Sequence, residues 1–502
     1  DPAVVYFGRA ISYQELYDQV RRFRKSLKEI GVKKGDQVVF LLPNIPQFVI
    51  AYWAVLSLGG VVVLMNPLLS EREIEYQFSH LRISVVLTLD RLYSKIRPLL
   101  RKQFEFQSII TSAELYMPIL WQVASHLKSP HLTVNRHQNL YKFKKMISNA
   151  MDEFESVAKP GDIAVLIYTG GVTGKPKAAC LSHRNLLANA LQERAWMVNL
   201  QLGQEKVLGL VPLIHSYGLT VCLHFSLVLE SSLVLVPRFQ SRRLYKILMN
   251  QRITIFPAVP TIFTALLRHV SEEQKLSFIK ACFSGGSPLD VSLQARFQEK
   301  FGCRVIQGFG LTETSPITHA NPVMGKIKLG SVGLPWPNTQ ARIVDLDTRQ
   351  ELGIDQIGEL EIKGPQVMLG YWPLKEDEKI EWFQTGDIAK MDKDGYFFIV
   401  DRKKDVILSG GYNIYPSEVE SVLLEHPAVN QVAVVGMPDE YYGERVKAFI
   451  VPTKDVSDKA LIQHCRHRLA AYKVPKEIEF RSSFPRNLLG KVLRRQLIHE
   501  PK

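Results

Sequence analysis

The stretch DIAVLIYTGGVTGKPKAACLSHRN, residues 162–185, decides the fold class of this chain. It opens with an apolar run, 162–168, which predicts a buried strand, and a loop rich in glycine and threonine follows. A helical pattern then begins after Ser182, and serine is a residue type that caps helix N-termini. A buried strand that leads through such a loop into a helix is typical of a parallel α/β sheet.

The loop itself has the composition of an anion-binding turn. Its glycines let the backbone N–H groups wrap an anion, and its hydroxyl and ammonium groups add donors and charge. These residues are Thr169, Gly170, Gly171, Thr173, Gly174, Lys175 and Lys177. A P-loop NTPase would need Ser or Thr directly after the Gly-Lys pair, but Pro176 stands there. The loop is therefore not a Walker motif, and taken alone it could be a plain turn.

Similar strand patterns lie on both sides of this stretch. Short apolar runs at Asp36–Leu42, Ser84–Leu89, Ser231–Pro237 and Ile253–Val259 alternate with helical patterns. Strands that alternate with helices predict parallel sheets covered by helices. We therefore expect the first two thirds of the chain to form a large α/β domain.

The texture changes towards the C-terminus. From about residue 330 short strands with turn residues predict a smaller β-rich subdomain, and residues 402–502 alternate strands and helices as a compact α+β unit. A chain of 502 residues is too long for one core. We expect an N-terminal domain over residues 1–401 and a C-terminal domain over residues 402–502.

Two features bear on the cellular setting. The apolar run Phe48–Met65 lies at the lower limit for a membrane span, but Gly59 and Gly60 divide it into a predicted helix and a buried strand. The five cysteines are scattered without a CxxC pair, which predicts buried thiols in a reducing compartment. No charged-then-apolar leader follows Asp1, so we expect a cytoplasmic protein.

The charge is uneven along the chain. The net charge is +14, and residues 91–147 hold ten Lys/Arg against Glu105 and Glu114. This basic insert also carries an apolar segment, Leu115–Leu127, with Trp121 inside it. Basic flanks around such a segment suit peripheral contact with an anionic inner membrane, and a solvated loop is the alternative. No nucleic-acid-binding motif accompanies the charge, so we expect no nucleic-acid partner.

Five further segments complete the pattern. They are PLIHSYG (212–218), SGGSPL (284–289), QGFGLTETSP (307–316), TGDIAKMDKDGYFFIVDRKKDVILSGGYNIYPSEVE (385–420) and PRNLLGK (485–491). Together with the glycine-rich loop they resemble, in order, the motifs of the adenylate-forming family of acyl-CoA synthetases, luciferases and adenylation domains. The particular residues of these motifs are most similar to those of bacterial-type long- or medium-chain fatty acyl-CoA synthetases.

The resemblance implies roles at the ATP site. Thr169 to Lys177 would hold the phosphates, Thr312 would bind phosphate, and Glu313 would ligate Mg²⁺. The glycines of the adenine-side and neighbouring loops, which would leave room for the nucleotide, are Gly285, Gly286, Gly308 and Gly310. The resemblance implies that Asp387 and Arg402 would bind the ribose. His215 would line the path of the acyl chain, and Lys491 would approach the carboxylate and the α-phosphate.

The resemblance also implies a second half-reaction with coenzyme A. The C-terminal domain would be mobile and rotate between the two steps, with Lys404 at the hinge. Gly410, Gly411 and Tyr412 would line the tunnel for the thiol arm, where missing side chains leave room. Each of these residues also has a plain structural reading as a surface charge or turn residue.

Two positions depart from the family pattern. Val172 replaces a hydroxyl residue in the phosphate loop, and Ala178 stands where glycine is usual. The implied function is that of an AMP-forming ligase that activates a fatty acid with ATP and Mg²⁺ and passes it to coenzyme A. An aryl or other acid, a luciferase-like oxygenase and a degenerate, non-catalytic nucleotide binder stay open as alternatives. We expect a monomer or a homodimer.

Overall fold

The computed structural model describes residues 1–99, 104–119, 121–122, 139–153, 155–169, 176–270, 275–375, 380–409, 412–487 and 490–499. Within them, 26 strands form four sheets. The first thirteen strands are β1 Pro2–Tyr6, β2 Arg9–Ser12, β3 Gln37–Leu41, β4 Val61–Leu64, β5 Ile83–Leu89, β6 Gln107–Thr111, β7 Leu140–Lys142, β8 Ile163–Thr169, β9 Lys177–Ser182, β10 Lys206–Gly209, β11 Ser232–Leu235, β12 Ile255–Ala258 and β13 Ala281–Ser284.

The remaining thirteen strands are β14 Val305–Gly310, β15 Ile317–Ala320, β16 Leu334–Pro335, β17 Gln340–Val344, β18 Gly358–Lys363, β19 Gly370–Tyr371, β20 Phe383–Met391, β21 Phe397–Arg402, β22 Ile407–Ser409, β23 Tyr412–Ile414, β24 Val429–Asp439, β25 Gly443–Pro452 and β26 Glu477–Phe480. The α-helices of the described residues are Tyr13–Glu29, Pro46–Ser57, Glu71–Phe78, Tyr93–Ile96, Phe143–Met146, His183–Trp196, Ser216–Gly218, Phe225–Val228, Ser241–Gln251, Pro260–His269, Val291–Phe301, Pro416–Leu424, Asp458–Arg466 and Arg494–His499.

Two large sheets form the N-terminal part. One has the strand order β16-β15-β14-β13-β12-β10-β11-β1-β2, and the other has the order β19-β9-β8-β4-β3-β5-β6-β7. Their central strands pair in parallel, and antiparallel pairs stand at the ends. The predicted strands of 36–42, 84–89 and 162–168 are all present within one or two residues. The expected α/β class with a large domain of parallel sheets is therefore confirmed.

Two smaller sheets follow along the chain. Strands β17-β18-β20-β21 form an antiparallel sheet with its own small core, as the β-rich texture predicts. Strands β23-β22-β25-β24, with β26 beside β25, form the C-terminal sheet, against which the helices Pro416–Leu424 and Asp458–Arg466 pack. The α+β character of this unit is confirmed, whereas the boundary between residues 401 and 402 stays a prediction.

Several local predictions are also confirmed. Ser182 caps the helix His183–Trp196, because its hydroxyl accepts a hydrogen bond of 3.2 Å from the Asn185 N–H. The run 48–65 divides into the helix Pro46–Ser57 and strand β4, and both are buried. None of the described helices has the length and apolar character that crossing a bilayer requires. All five cysteines are free and buried.

The interpretation of residues 91–147 as an insert is wrong for the parts that the structure describes. Strands β6 and β7 extend the eight-stranded sheet in parallel, and Phe143 is fully buried in the main core. Of the apolar segment, residues 115–119 and 121–122 are described: Tyr116 is buried, while Ile119 and Trp121 are exposed. Strands β6 and β7 are too short for a clear alternation of apolar and polar residues. Their place in the sheet depends on pairing with strands that are distant in sequence.

Candidate functional site

The edge of the nine-stranded sheet positions the adenine-side glycines. Strands β12, β13 and β14 run in parallel, so their carboxyl ends meet at one edge, where ligands bind in open α/β sheets. Gly285 follows β13, and a Cβ there would lie 3.0 Å from the Tyr217 ring. The Tyr217 hydroxyl donates to the Ala258 carbonyl over 3.2 Å, which fixes the ring. Gly286 has a φ of +81°, a conformation that favours glycine.

The loop after β14 presents Thr312 and Glu313 at the same edge. A short 3₁₀ turn, Thr312–Thr314, holds both residues. The Tyr371 hydroxyl donates to Glu313 Oε1 over 2.8 Å, and the hydroxyls of Ser216 and Thr312 lie 3.3 Å apart. The Glu313 carboxylate is thus oriented by a partner from strand β19. Its second oxygen could serve a metal ion.

The two predicted glycines of β14 differ in their surroundings. A Cβ on Gly310 would collide with the Pro316 carbonyl, so the backbone there requires glycine. Gly308 has ordinary space around it, with the nearest atom, the His319 carbonyl oxygen, 3.6 Å from a built Cβ. The local packing therefore explains Gly310 but not Gly308.

The phosphate-loop candidates lie in the hairpin between β8 and β9. Thr169 and Lys177 are cross-strand partners at its base, and the Lys177 ammonium lies 5.2 Å from the centroid of the Tyr371 ring. Tyr371 therefore contacts both Lys177 and Glu313. The other residues named for this loop lie outside the described residues: Gly170, Gly171, Val172, Thr173, Gly174 and Lys175.

Ala178 fits the place where the family pattern has glycine. Its side chain is buried in the smaller core of the N-terminal part, and its carbonyl accepts a hydrogen bond of 2.8 Å from the Trp372 N–H. The methyl group fills core space next to the β8–β9 hairpin. This departure therefore leaves the hairpin pairing intact.

An ion pair between a buried carboxylate and a partly exposed guanidinium group forms the ribose-side candidate. Asp387 on β20 and Arg402 on β21 are cross-strand partners, and Arg402 Nε lies 2.6 Å from Asp387 Oδ1. Burial raises the pKa of Asp387 to about 6, and Arg402 opposes this rise. Among the described residues, nothing hydrogen-bonds to the buried Oδ2 atom of Asp387. This atom is an acceptor suited to a hydroxyl donor such as a ribose.

Lys491 reaches the same region from the C-terminal loop. Its N–H donates to Asn487 Oδ1 over 2.9 Å, and a Cβ on the preceding Gly490 would lie 2.6 Å from Thr261 Cγ2. The loop therefore docks on the helix Pro260–His269 of the N-terminal part. The surrounding protein and the neighbouring Arg402 lower the pKa of Lys491 to about 8, and Asp387 opposes this.

His215 directly precedes the short helical turn Ser216–Gly218. Its ring nitrogen Nδ1 accepts a hydrogen bond of 3.3 Å from the Tyr217 N–H at the start of the turn Ser216–Gly218. Burial lowers the pKa of His215 to about 4, so the imidazole is neutral near pH 7. A neutral ring can line an apolar path more readily than an imidazolium.

The residues predicted for the second half-reaction are only partly described. Lys404 stands in the exposed 3₁₀ turn Lys403–Asp405 directly after β21. Tyr412 is exposed and stacks on Tyr472 with ring centroids 4.4 Å apart. Gly410 and Gly411 lie outside the described residues.

Sequence reasoning missed the linking role of three side chains. Tyr371 connects Lys177 to Glu313, Ser216 contacts Thr312, and Thr261 receives the C-terminal loop. Ser216 belongs to the quoted PLIHSYG motif and could have been noticed there. Tyr371 and Thr261 belong to none of the motifs, because their roles depend on contacts across long stretches of chain.

Comparisons with known proteins match this arrangement. The profile described as "AMP-binding enzyme" matches residues 1–372, and the profile "AMP-binding enzyme C-terminal domain" matches residues 418–491. The chain belongs to the AMP-binding enzyme family. This confirms the resemblance to adenylate-forming enzymes that the motifs carry.

Individual relatives of this AMP-binding enzyme include proteins named for a specific activity. A long-chain-fatty-acid–CoA ligase of Bacillus subtilis (strain 168) is 41% identical, over 99% of this chain and 91% of its own. A long-chain-fatty-acid–CoA ligase of Escherichia coli O6:H1 is 37% identical, over 100% of this chain and 92% of its own. Among solved structures, ATP-bound MatB from Rhodopseudomonas palustris superposes with a TM-score of 0.87 at 27% identity, covering 99% of this chain and 95% of its own.

Proposed function

We propose that the chain is an AMP-forming ligase that activates a medium- or long-chain fatty acid with ATP and transfers the acyl group to coenzyme A. The observation that carries this proposal is the meeting of Asp387, Arg402 and Lys491 beside the edge that presents Glu313. The 41% identity to a long-chain-fatty-acid–CoA ligase over almost the whole chain supports the choice of acid and acceptor.

The first step joins the fatty acid to AMP. A carboxylate oxygen attacks the α-phosphorus of ATP, and the bond from that phosphorus to the pyrophosphate oxygen breaks. Lys177 and Lys491 would offset the negative charge of the phosphates and of the attacking carboxylate, which repel each other. Holding the reactants in line can lower the activation free energy by about 7–11 kcal/mol.

The nucleotide would be held from the ribose side. Asp387 has an acceptor atom available, and Arg402 keeps the other oxygen of that carboxylate in place. Glu313 would hold Mg²⁺, whose chemistry is to neutralise phosphate charge, and one protein carboxylate suits an ion that keeps several waters. Thr312, adjacent to Glu313, would donate its hydroxyl to a phosphate oxygen.

The second step transfers the acyl group to sulfur. The thiolate of coenzyme A attacks the acyl carbon, the bond to the AMP oxygen breaks, and AMP leaves with the electron pair. We propose that the domain after residue 401 turns about Lys404 between the steps, which withdraws Lys491 and brings Tyr412 to the thiol path. Lys404 stands in an exposed turn directly after β21, which suits a hinge.

We also propose that the protein is cytoplasmic and makes peripheral contact with an anionic membrane through residues 91–147. The described basic residues of this region include Lys142, Lys144 and Lys145. Because β6 and β7 belong to the sheet, deletion of the region would destroy the fold. Charge-removing substitutions are therefore the appropriate test.

A panel of carboxylic acids tests the ligase proposal. Each acid, from short to long chains and including coumarate, is supplied with ATP, Mg²⁺ and coenzyme A, and AMP formation is measured. We expect AMP release with medium- or long-chain acids and a requirement for the thiol for multiple turnovers. Preference for the aryl acid would overturn the substrate assignment. Absence of acid-dependent AMP or pyrophosphate would instead indicate the non-catalytic binder.

A further inference from the structure

Three separate segments of the chain form an aromatic and basic cluster. The turn between β1 and β2 contributes Phe7, and the segment described at 121–122 contributes Trp121. Their ring centroids lie 6.0 Å apart. The Arg243 guanidinium lies 4.5 Å from the Phe7 ring centroid and 5.8 Å from that of Trp121. We call Phe7, Ile119, Trp121, Arg242 and Arg243 the aromatic–basic patch.

The charge of this patch comes from a stretch without acidic residues. Residues 231–271 contain six Lys/Arg and no Asp or Glu. Arg242 and Arg243 are exposed in the first turn of the helix Ser241–Gln251, and neither forms an ion pair with a carboxylate in the described part of the chain. Because the positive end of that helix lies at the same turn, the helix dipole opposes both guanidinium groups. An anion beside them would relieve this repulsion.

The positive charges of two nearby arginines, Arg9 and Arg91, are partly neutralised by carboxylates. The distance is 3.6 Å from Arg9 Nη2 to Glu15 Oε1 and 3.6 Å from Arg91 Nη2 to Glu114 Oε1. These carboxylates offset the rim of the patch. The uncompensated charge therefore centres on Arg242 and Arg243.

Apolar side chains protrude beside this charge. Ile119 is 78% exposed, Trp121 is 54% exposed, and Phe239, four residues before Arg243, is 37% exposed. Arginine next to exposed tryptophan and aliphatic side chains is the composition of a bilayer interface, where rings enter the headgroup region and cations meet lipid phosphates. Each basic group near an anionic bilayer strengthens attachment by about fivefold.

We propose that the aromatic–basic patch is the surface by which this protein docks on an anionic lipid bilayer. This inference rests on the peripheral contact proposed above and deepens it, because it moves the main charge from residues 91–147 to Arg242 and Arg243. It is independent of the ligase activity. Trp121 and Ile119 supply the insertion, and the arginines supply the attraction.

Vesicle binding of the full chain tests the proposal. Sedimentation with phosphatidylcholine vesicles, with and without phosphatidylglycerol, is compared for the wild type, for Arg242→Gln with Arg243→Gln, and for Ile119→Ser with Trp121→Ser. We expect binding only with the anionic lipid, weaker binding at higher salt, and a loss of about tenfold or more for each double variant. The double variant Arg242→Lys with Arg243→Lys keeps the charge and should keep most of the binding.

Matched controls separate this surface from general effects. Lys459→Gln with Arg466→Gln removes the same charge from the C-terminal part, and Leu329→Ala removes an apolar side chain that is 53% exposed. Both controls should bind vesicles as the wild type does. Unchanged circular dichroism and acid-dependent AMP formation would show that each variant is folded.

The outcomes distinguish the two membrane proposals. If Lys142→Gln, Lys144→Gln and Lys145→Gln together abolish binding while Arg242→Gln with Arg243→Gln does not, the contact through 91–147 stands and the patch is overturned. If the wild type is retained on heparin but binds no vesicles, the charge serves a general polyanion and the lipid proposal is also overturned. An equal loss for the Lys459 and Arg466 control would attribute binding to net charge alone.

Discussion

Two parts of the proposed active site are built in opposite ways. Asp387 and Arg402 lie on adjacent strands, where an ion pair of 2.6 Å and cross-strand pairing hold both side chains. Lys491 lies on a loop of the C-terminal part that touches the N-terminal part through Gly490 and Thr261. The geometry of the strand pair belongs to the sheet and does not depend on a bound ligand. Because Lys491 does not belong to that sheet, the domain rotation proposed above would move the lysine without disturbing the strand pair.

The pKa values show the same contrast. Burial raises the pKa of Asp387 to about 6, whereas protein surroundings and Arg402 lower the pKa of Lys491 to about 8. Near pH 7 both groups are still mainly charged and of opposite sign. The proposed site thus combines an anion held by the sheet with a cation that the proposed domain rotation would move. Changes at Asp387, Lys491 and Gly490 test the proposed difference between the strand pair and the loop.

Lys491→Ala should have the largest effect. Loss of a cation that stabilises the transferring centre should slow acid-dependent pyrophosphate release by about 100-fold or more. Transfer from a supplied acyl adenylate to coenzyme A should change little, because the loop serves the first step. Lys459→Ala, an exposed lysine elsewhere in the C-terminal part, is the control. Equal slowing of both half-reactions would contradict a separate, movable lysine.

Asp387→Asn should come next. The amide cannot accept two hydroxyl hydrogen bonds in the same way and leaves Arg402 without its carboxylate, so we expect the KM for ATP to rise by about ten- to a hundredfold. Both half-reactions should suffer, because the ribose is bound in each. Asp394→Asn, at an exposed carboxylate, provides the comparison. A normal KM for ATP in Asp387→Asn would remove the ribose role.

The kcat/KM of the first step should fall at both low and high pH. The Asp387 carboxylate is lost as the pH falls below about 6, and the Lys491 ammonium is lost as the pH rises above about 8. Beyond each limit kcat/KM should fall by about tenfold per pH unit. Lys491→Arg should move the alkaline limit upward, because arginine stays charged. An alkaline limit that does not move in this variant would exclude Lys491 as its source.

Gly490→Ala should have the smallest effect. The new Cβ would lie 2.6 Å from Thr261 Cγ2, so docking of the loop is hindered and the first step should slow by about fivefold. Gly395→Ala controls for backbone strain, since Gly395 has the same φ of +81° but its nearest neighbour, Leu334, is 3.7 Å from a built Cβ. Slowing of the same size in both variants would attribute the effect to strain rather than to docking.

The sequence predicts the secondary-structure elements better than it predicts the contacts between elements that are distant along the chain. The strands around 162–168 and the cap at Ser182 follow from local apolar runs and side-chain chemistry, and both are present. The position of Lys491 near Asp387 depends on two domains docking, which no local pattern encodes. Tyr371 escaped attention for the same reason, because it reaches Glu313 across 58 residues of chain.

The contact between Gly490 and Thr261 also bears on the proposed withdrawal of Lys491. Glycine offers no side chain there, so this contact contributes only dispersion, about 0.1–0.2 kcal/mol for each atom pair. The close approach requires glycine at position 490, and little binding energy at this point would resist the proposed departure of the loop. Under the proposed domain rotation, a loop held in this way would be placed accurately and released at low cost in each turnover.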